Sequence, residues 1–349
     1  MLTNRHLAAG TDTAYMLCSG LLLSSIGCMA ALATGRGRAG IQSMAAAFFA
    51  GAFCFLSRSI CACSDSPALF QGALSAFSAA IDNAGFASEQ TPALLKALLC
   101  GDRSALDRET IAAFRDSGAS HILALSGLHL GVIYLIAGKA LSIIGNSKEA
   151  KTARSATTVI LCGFYAAMTG ASPSIVRAFL FILLREILWL FPGRKAGDEG
   201  IYCTALTVQL ALDPLVISSP GFQLSYMAMA GIYLIFPVLS GLYPDLPSDK
   251  GRAAAHRGPR AQLAFAGAMK KIWDAAAMSI SCQMFTAPLA WIYFRSFPPF
   301  FLITNLISLP LCEALIVCGL ASLALPFLTS ATDLLARALI FCISVISGL

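Results

Sequence analysis

The stretch GASHILALSGLHLGVIYLIAG, residues 118–138, is an apolar run of membrane length that carries His121, Ser126 and His129 around a Ser-Gly-Leu-His core. Lipid offers no hydrogen bonds. A polar side chain there needs a protein partner, a water-filled cavity or a substrate. Two readings stand for these residues. In the structural one, Ser126 bonds back to its own helix, Gly127 lets a neighbour pack closely and His129 donates to a nearby carbonyl. In the functional one, the three polar groups form one face of a membrane helix and line a path.

Working outward, apolar runs of about 20 residues, the length that crosses a bilayer, recur along the chain. Their limits are 14–34, 41–57, 120–145, 156–170, 173–191, 200–217, 220–241, 273–295, 299–326 and 331 to the end. A second span follows the first almost at once, which favours an uncleaved helix over a signal peptide. The composition agrees: 57% of residues are hydrophobic and only 12% charged, against roughly 25% charged in an average soluble domain. Mean hydropathy is +0.75. The expected fold is all-α, a polytopic integral membrane helical bundle of about ten spans, some short or broken, with an external amphipathic helical segment.

Basic residues sort the connections by side. Arg36 and Arg38 follow the first span, Lys148, Lys151 and Arg154 the third, Arg194 and Lys195 the fifth, and Lys250, Arg252, Arg257, Arg260, Lys270 and Lys271 the seventh. The positive-inside rule places these in the cytoplasm and residues 58–119 outside. Arg5 and Arg58 point the other way for the first two spans. Much of the net charge of +6 is thereby a topology signal rather than a sign of nucleic-acid affinity. The chain divides into an N-terminal transmembrane pair (1–57), an external loop with amphipathic helices (58–119) and a membrane domain (120–349).

In the external loop, Thr91 and Pro92 read as an N-cap and a first-turn proline. Leu94, Leu95, Leu98 and Leu99 form a stripe, and Gly101 ends the helix. Asp107 starts a second short helix that Gly118 stops. The first of these is too short to span, so it is expected on the membrane surface or against the bundle. Most of the twelve cysteines lie in apolar runs and act as small hydrophobes. Cys61 and Cys63 alone hint at a metal or redox pair, and no cofactor or metal is called for.

Two later stretches share a mechanism: TGASPSIVRAF at 169–179 and SSPGFQLSYM at 218–227. In each, a Ser (Ser172, Ser219) is placed to cap a helix that begins at a Pro (Pro173, Pro220). Such helix starts present free N–H groups and the positive end of the dipole, which suit an anion. The plain alternative is an ordinary interfacial cap. Arg177 lies one turn inside the first helix, and either snorkels, pairs with Asp213, or meets a substrate. Thr169 precedes the same start. Gln209, Gln223, Gln283, Asn305 and Glu313 are further polar groups within spans, and interhelical hydrogen bonding is their usual use.

Hydrolytic chemistry finds no support in the spacing. Ser126 and His129 are three apart on one helix, so neither is placed to act as base to the other. His121 and His129 are eight apart with no acidic companion for a metal. No phosphate-binding P-loop is present. The chain is therefore expected not to be an enzyme.

The run LLKALLCGDRSALDRETIAAFRDSGASHILALSGLHLGVI at 94–133 resembles the entry to the membrane "competence" domain of the ComEC family, bacterial proteins that admit transforming DNA. TGASPSIVRAFL at 169–180, LDPLVISSPGFQLSYMAMAGI at 212–232 and TAPLAWIYFRSFPPFFLITNLISLP at 286–310 resemble its later blocks in the same order. The resemblance implies a multi-pass channel in the bacterial cytoplasmic (inner) membrane that passes single-stranded DNA during natural transformation. It also implies a separate DNA receptor, a nuclease and a cytosolic translocase as partners, with membrane lipid around the bundle. Full-length members add an external OB-like domain and a C-terminal metallo-β-lactamase-like domain. Residues 58–90 are too few for the first, and no segment here resembles the second, so nuclease activity is not carried over. The expected DNA path comprises His121, Ser126, Gly127, His129, Thr169, Ser172, Arg177, Asp213, Ser219, Gln223 and Asn305. Two other functions are open: a secondary transporter of a small anionic solute, which would use the same helix starts, and a non-catalytic membrane assembly protein, which would need none of the polar groups.

Overall fold

The computed structural model describes residues 68–145, 147–190, 197–243, 260–295 and 299–348. Every regular element among them is helical. In chain order these are α1 (Ala68–Asp82), α2 (Gln90–Cys100), α3 (Arg108–Asp116), α4 (Ser120–Leu123), α5 (Gly127–Leu141), α6 (Lys148–Met168) and α7 (Pro173–Leu190). They continue as α8 (Asp198–Leu212), α9 (Pro220–Leu234), α10 (Phe236–Gly241), α11 (Arg260–Phe294), α12 (Phe301–Ser322) and α13 (Thr329–Ser347). Short 3-10 turns at Ser142–Ile144, Pro214–Ser218 and Pro326–Leu328 join some of them. The expected spans 14–34 and 41–57, and the Cys61 and Cys63 pair, lie outside the described residues.

Among the described residues, four stretches are long and apolar enough to cross a membrane: Pro220–Gly241, Phe265–Phe294, Phe301–Ser322 and Pro326–Ser347. The protein is a helical membrane protein, but the count of about ten spans is not reached among the described residues. The physical reasons differ by helix. The run 120–145 breaks at residues 124–126 into α4 and α5, leaving α5 with 15 residues. The 18-residue α7 carries Arg177, Arg185 and Glu186, each costly in lipid unless partnered. The run 200–217 ends as a helix at Leu212 and finishes as a 3-10 turn.

The loop ahead of α3 is organised differently from a surface helix. α1 and α2 form a hairpin. Phe70, near the start of α1, packs its ring 5.7 Å from that of Phe164. Near the end of α2, the Leu99 carbonyl accepts from Tyr165 Oη at 2.8 Å. Both arms therefore meet the same end of α6. The tip between them reaches α13, where Ala87 N–H donates to Asp333 Oδ2 at 2.8 Å. α2 thus lies inside the bundle, not on the membrane surface, with Thr91, Ala93, Leu94, Leu95, Ala97, Leu98, Leu99 and Cys100 all buried. Its composition explains this: apart from Lys96, which reaches Asp82 at 2.8 Å, it has no charged side, and a helix apolar all round is a buried one. Gly319 on α12 makes room, because a Cβ there would meet Leu95 Cδ2 at 2.5 Å.

The caps of this region are partly as expected. Gly101 ends α2 at φ 77°, where glycine is free of Cβ strain. Asp107 caps α3, accepting from Thr110 N at 2.6 Å. Thr91 does not cap. The helix starts at Gln90 without a side-chain cap, and Thr91 Oγ1 is buried with no partner.

The largest core joins α2, α3, α4 and α5 to α12 and α13 through Leu94, Leu98, Phe114, Ile122, Leu315 and Leu339. A second core, around Tyr202, Phe222 and Tyr226, joins α8 to α9. A third, around Leu130, Tyr165 and Ile175, joins α5, α6 and α7. On the far side of that third core, Glu186 of α7 accepts from Tyr134 Oη and from Ser155 Oγ, each at 2.5 Å. One carboxylate thereby clasps α5, α6 and α7 together.

Candidate functional site

Three helix starts gather at one end of the bundle. α5 begins at Gly127, α7 at Pro173 and α9 at Pro220. The first turns of α7 and α9 are tied by Ser174 Oγ, which donates to the Gly221 carbonyl at 3.2 Å. One turn further in, Arg177 Nη1 donates to the Ser225 carbonyl, and its guanidinium carbon stands 5.9 Å from the centre of the Tyr226 ring. The other side of the guanidinium faces α5. A Cβ built on Gly127 would lie 3.1 Å from Arg177 Nη2 and 3.2 Å from Ala178 Cβ. Gly127 is thus the seat into which Arg177 fits.

The electrostatics of this arrangement are one-sided. A guanidinium offers five N–H donors and accepts nothing. Arg177 has one hydrogen bond, to the Ser225 carbonyl, and no carboxylate partner among the described residues. The expected alternative of an Arg177 and Asp213 pair is not formed. Asp213 is exposed and caps the 3-10 turn, accepting from Leu215 N at 3.0 Å, because that turn needs an acceptor for its own free N–H groups. What remains around Arg177 is a cation without an acid, beside helix starts that present the positive ends of their dipoles.

The two Ser-Pro starts differ. Ser219 Oγ accepts from Phe222 N at 3.1 Å, the expected cap. Ser172 Oγ has no partner and is buried, so the expected cap is absent at α7. The chain enters α7 straight from the end of α6. Ala171 N–H closes on the Ala166 carbonyl at 2.8 Å and Gly170 N–H on the Ala167 carbonyl at 3.2 Å, a Schellman stop. Gly170 at φ 81° and Ala171 at φ 48° are both left-handed. Thr169 belongs to that stop, its Oγ1 bonding back to the Tyr165 carbonyl at 2.8 Å.

The Ser-Gly-Leu-His core is rearranged relative to expectation. Ser126 is the N-cap of α5, not a residue within a longer helix, and His121 sits on α4, so the three groups do not form one stripe. His121 is exposed, with Nδ1 3.1 Å from the Gly118 carbonyl. Ser126 and His129 do meet, contrary to the reading from spacing: Oγ lies 3.0 Å from Nδ1. The Ser126 N–H donates to that same Nδ1 at 3.1 Å, while Oγ accepts from Leu128 N at 3.3 Å. This is a capping box in which imidazole takes the place usually held by Glu or Gln. Because Nδ1 accepts from a backbone N–H, the proton of the neutral ring is assigned to Nε2. That nitrogen is buried without a partner, in a side chain with 0% exposure. His129 lies about 200° around the helix from Gly127, so it does not share the face that receives Arg177.

The remaining expected residues sort as follows. Gln223 is an internal brace, donating from Nε2 to the Ile217 carbonyl at 2.8 Å and accepting from Tyr293 Oη at 2.9 Å. Asn305 stands on α12, which packs on α2, α5, α11 and α13, and its Oδ1 is buried without a partner. Three groups were not singled out from sequence: Tyr226 beneath the guanidinium, Glu186 in its clasp and Asp333 at the hairpin tip. The two acids had a signal, a carboxylate inside an apolar run. The tyrosine had none. No group of three or more His, Cys, Asp or Glu placed to hold a metal occurs among the described residues.

Comparison with known proteins places a family match over most of this architecture. The family described as Competence protein matches residues 98–349. The chain is 29% identical over 141 residues to ComE operon protein 3 of Bacillus subtilis (strain 168), covering 40% of this chain and 18% of that protein. It is 30% identical over 145 residues to Competence protein ComA of Neisseria gonorrhoeae, covering 40% and 20%. It is also 28% identical over 155 residues to an uncharacterized protein, YcaI, of Escherichia coli (strain K12), covering 42% and 20%. The matched part thus spans a fifth or less of each relative's length. No solved structure matches the chain.

Proposed function

The chain belongs to the competence protein family, and on that premise we propose that it forms the passage by which a single DNA strand crosses the bacterial cytoplasmic membrane in natural transformation. The observation that carries this reading is Arg177, seated on Gly127 between the starts of α5 and α9 with one carbonyl partner and no acid. A strand's constant feature is its phosphate backbone, and a cation beside helix starts suits an oxyanion whatever base follows. Nothing in this cluster resembles a reader of base edges. Single contacts of this kind hold weakly, which a conduit needs so that each phosphate is released after it is admitted.

In this reading Ser172 contributes a donor beside the path, while His129, through its capping box with Ser126, and Ser219, Gln223 and Thr169 keep its walls in place. The receptor, the nuclease that degrades the other strand and the cytosolic translocase are separate partners, as the family resemblance implies. This chain is a multi-pass conduit, not the enzyme.

The test is a transformation assay with protein levels checked by blotting. Arg177→Ala lowers transformant yield at normal protein level, and His129→Ala lowers it less. Full uptake in both variants would remove Arg177 and His129 from the path. If instead the wild-type protein carries a small anion into vesicles in the absence of DNA, the transporter reading replaces this one. Orientation has its own check. A cysteine at the exposed Ser104, in a background lacking native cysteines, reacts with an impermeant label in intact cells, and protection there would invert the topology.

A further inference from the structure

We propose that Gln209 and Tyr226 are a positioning pair that fixes the Arg177 guanidinium over its seat, an inference that rests on reading Arg177 as the phosphate contact. Gln209 comes from α8, which contributes no helix start to the site, and is only 3% exposed. Its Nε2 donates to the carbonyl of Pro173 at 3.0 Å. That residue opens α7, one turn before Arg177. Its Oε1 accepts from Tyr226 Oη at 3.0 Å. The amide orientation is fixed by chemistry: a carbonyl has no proton to give, so the NH₂ end faces Pro173 and Tyr226 must donate.

One buried amide therefore holds both walls of the site at once. Through Pro173 it sets where α7 begins, and through Tyr226 it sets the ring over which Arg177 lies. Tyr226 is 0% exposed, and its own carbonyl accepts from Tyr202 Oη at 3.3 Å. The neighbouring Ser225 carbonyl receives Arg177 Nη1. A flexible arginine loses contacts when its orienting surface moves, because its reach exceeds the width of one phosphate. Gln209 and Tyr226 touch no substrate. They act through Arg177.

The experiment measures binding of a fluorescent single-stranded oligonucleotide to the purified chain in nanodiscs across a salt series. For single strands the slope of log K against log salt changes by about 0.7 per phosphate contact. Arg177→Ala makes the slope shallower by about that amount, one contact's worth. Tyr226→Phe keeps the ring and removes only the hydroxyl, and Gln209→Leu keeps the bulk and removes the amide. Each makes the slope shallower by at least half as much as Arg177→Ala. Tyr134→Phe, which removes a hydroxyl from the Glu186 clasp away from the pair, leaves the slope unchanged. A merely structural role lowers the fraction of protein that binds, not the slope. If Arg177→Ala shifts the slope and the Tyr226 and Gln209 variants do not, the positioning pair is overturned while the phosphate reading stands. An unchanged slope in Arg177→Ala overturns both.

Discussion

The Ser-Pro starts of α7 and α9 are nearly the same in sequence and opposite in state. At α9 the hydroxyl of Ser219 is consumed by its own helix, accepting from Phe222 N. At α7 the hydroxyl of Ser172 is buried and bonded to nothing. A buried unpaired hydroxyl costs free energy, of order 1–3 kcal/mol. The fold spends stability at one start and recovers it at the other. The uncapped start is the one whose helix carries Arg177, also left short of acceptors. Under the proposed function, α7 is the start that meets an oxyanion and α9 the one that holds the frame.

The largest effect that sharpens this contrast comes from Arg177. Arg177→Ala removes the one charge that the described residues bring to the cluster, and transformant yield falls by about tenfold or more, as expected for a charge-assisted contact of roughly 1.5–3 kcal/mol. Arg177→Lys keeps the charge without the planar fork and recovers part of that loss. Gly127→Val comes next. Its side chain takes the space in which Nη2 sits and crowds Ala178 Cβ on α7, so yield falls several-fold although no charge is lost, and the thermal midpoint in detergent falls with it.

Smaller effects separate the two serines. Ser219→Ala removes a working cap and lowers stability by about 1 kcal/mol, read as a drop in thermal midpoint, with no change in the salt slope of oligonucleotide binding. Ser172→Ala removes a hydroxyl that bonds to nothing, so the midpoint holds or rises slightly while oligonucleotide affinity falls. Identical responses at both positions would dissolve the contrast.

The smallest effect lies in the exposed loop between α2 and α3, at Asp102. Its carboxyl is held below the ordinary carboxylate range by hydrogen bonds from Ser104, whose N–H donates to Oδ1 at 2.9 Å. A depressed acid stabilises the fold above its unfolded value, near pH 4, and that stabilisation disappears as pH falls through the lower folded value. Ser104→Ala therefore lowers the thermal midpoint slightly at pH 7 and makes no difference at pH 2.

Much of this was legible from residue types alone. Pro173 and Pro220 announce helix starts, Asp107 a cap and Gly101 a stop, because each rests on local backbone chemistry. Arg177 was visible as a charge in an apolar run. The break before Gly127 was not, since Ala124 and Leu125 carry on the apolar pattern and only the Ser126 capping box, completed unusually by histidine, ends it. Of the two placements expected for α2, on the membrane surface or against the bundle, the second is found, and what decides between them was hidden. Its leucine stripe reads as one face of a surface helix, and the fact that decides otherwise, the space left by Gly319 on α12, lies more than two hundred residues away in sequence. The part played by Gln209 was hidden too. An amide in a span suggests an interhelical bond, but not that both its ends hold the walls of one site.

The central claim is that a phosphate of the passing strand meets the start of α7 and not that of α9. The direct measurement places a single cysteine at Ser172 or at Ser219, in a background lacking native cysteines, and imports a strand carrying one thiol-reactive group on a phosphorothioate. The account predicts covalent capture at Ser172→Cys and little at Ser219→Cys, with capture at the first abolished by Arg177→Ala. Equal capture at both positions, or uptake of the strand with capture at neither, would contradict it.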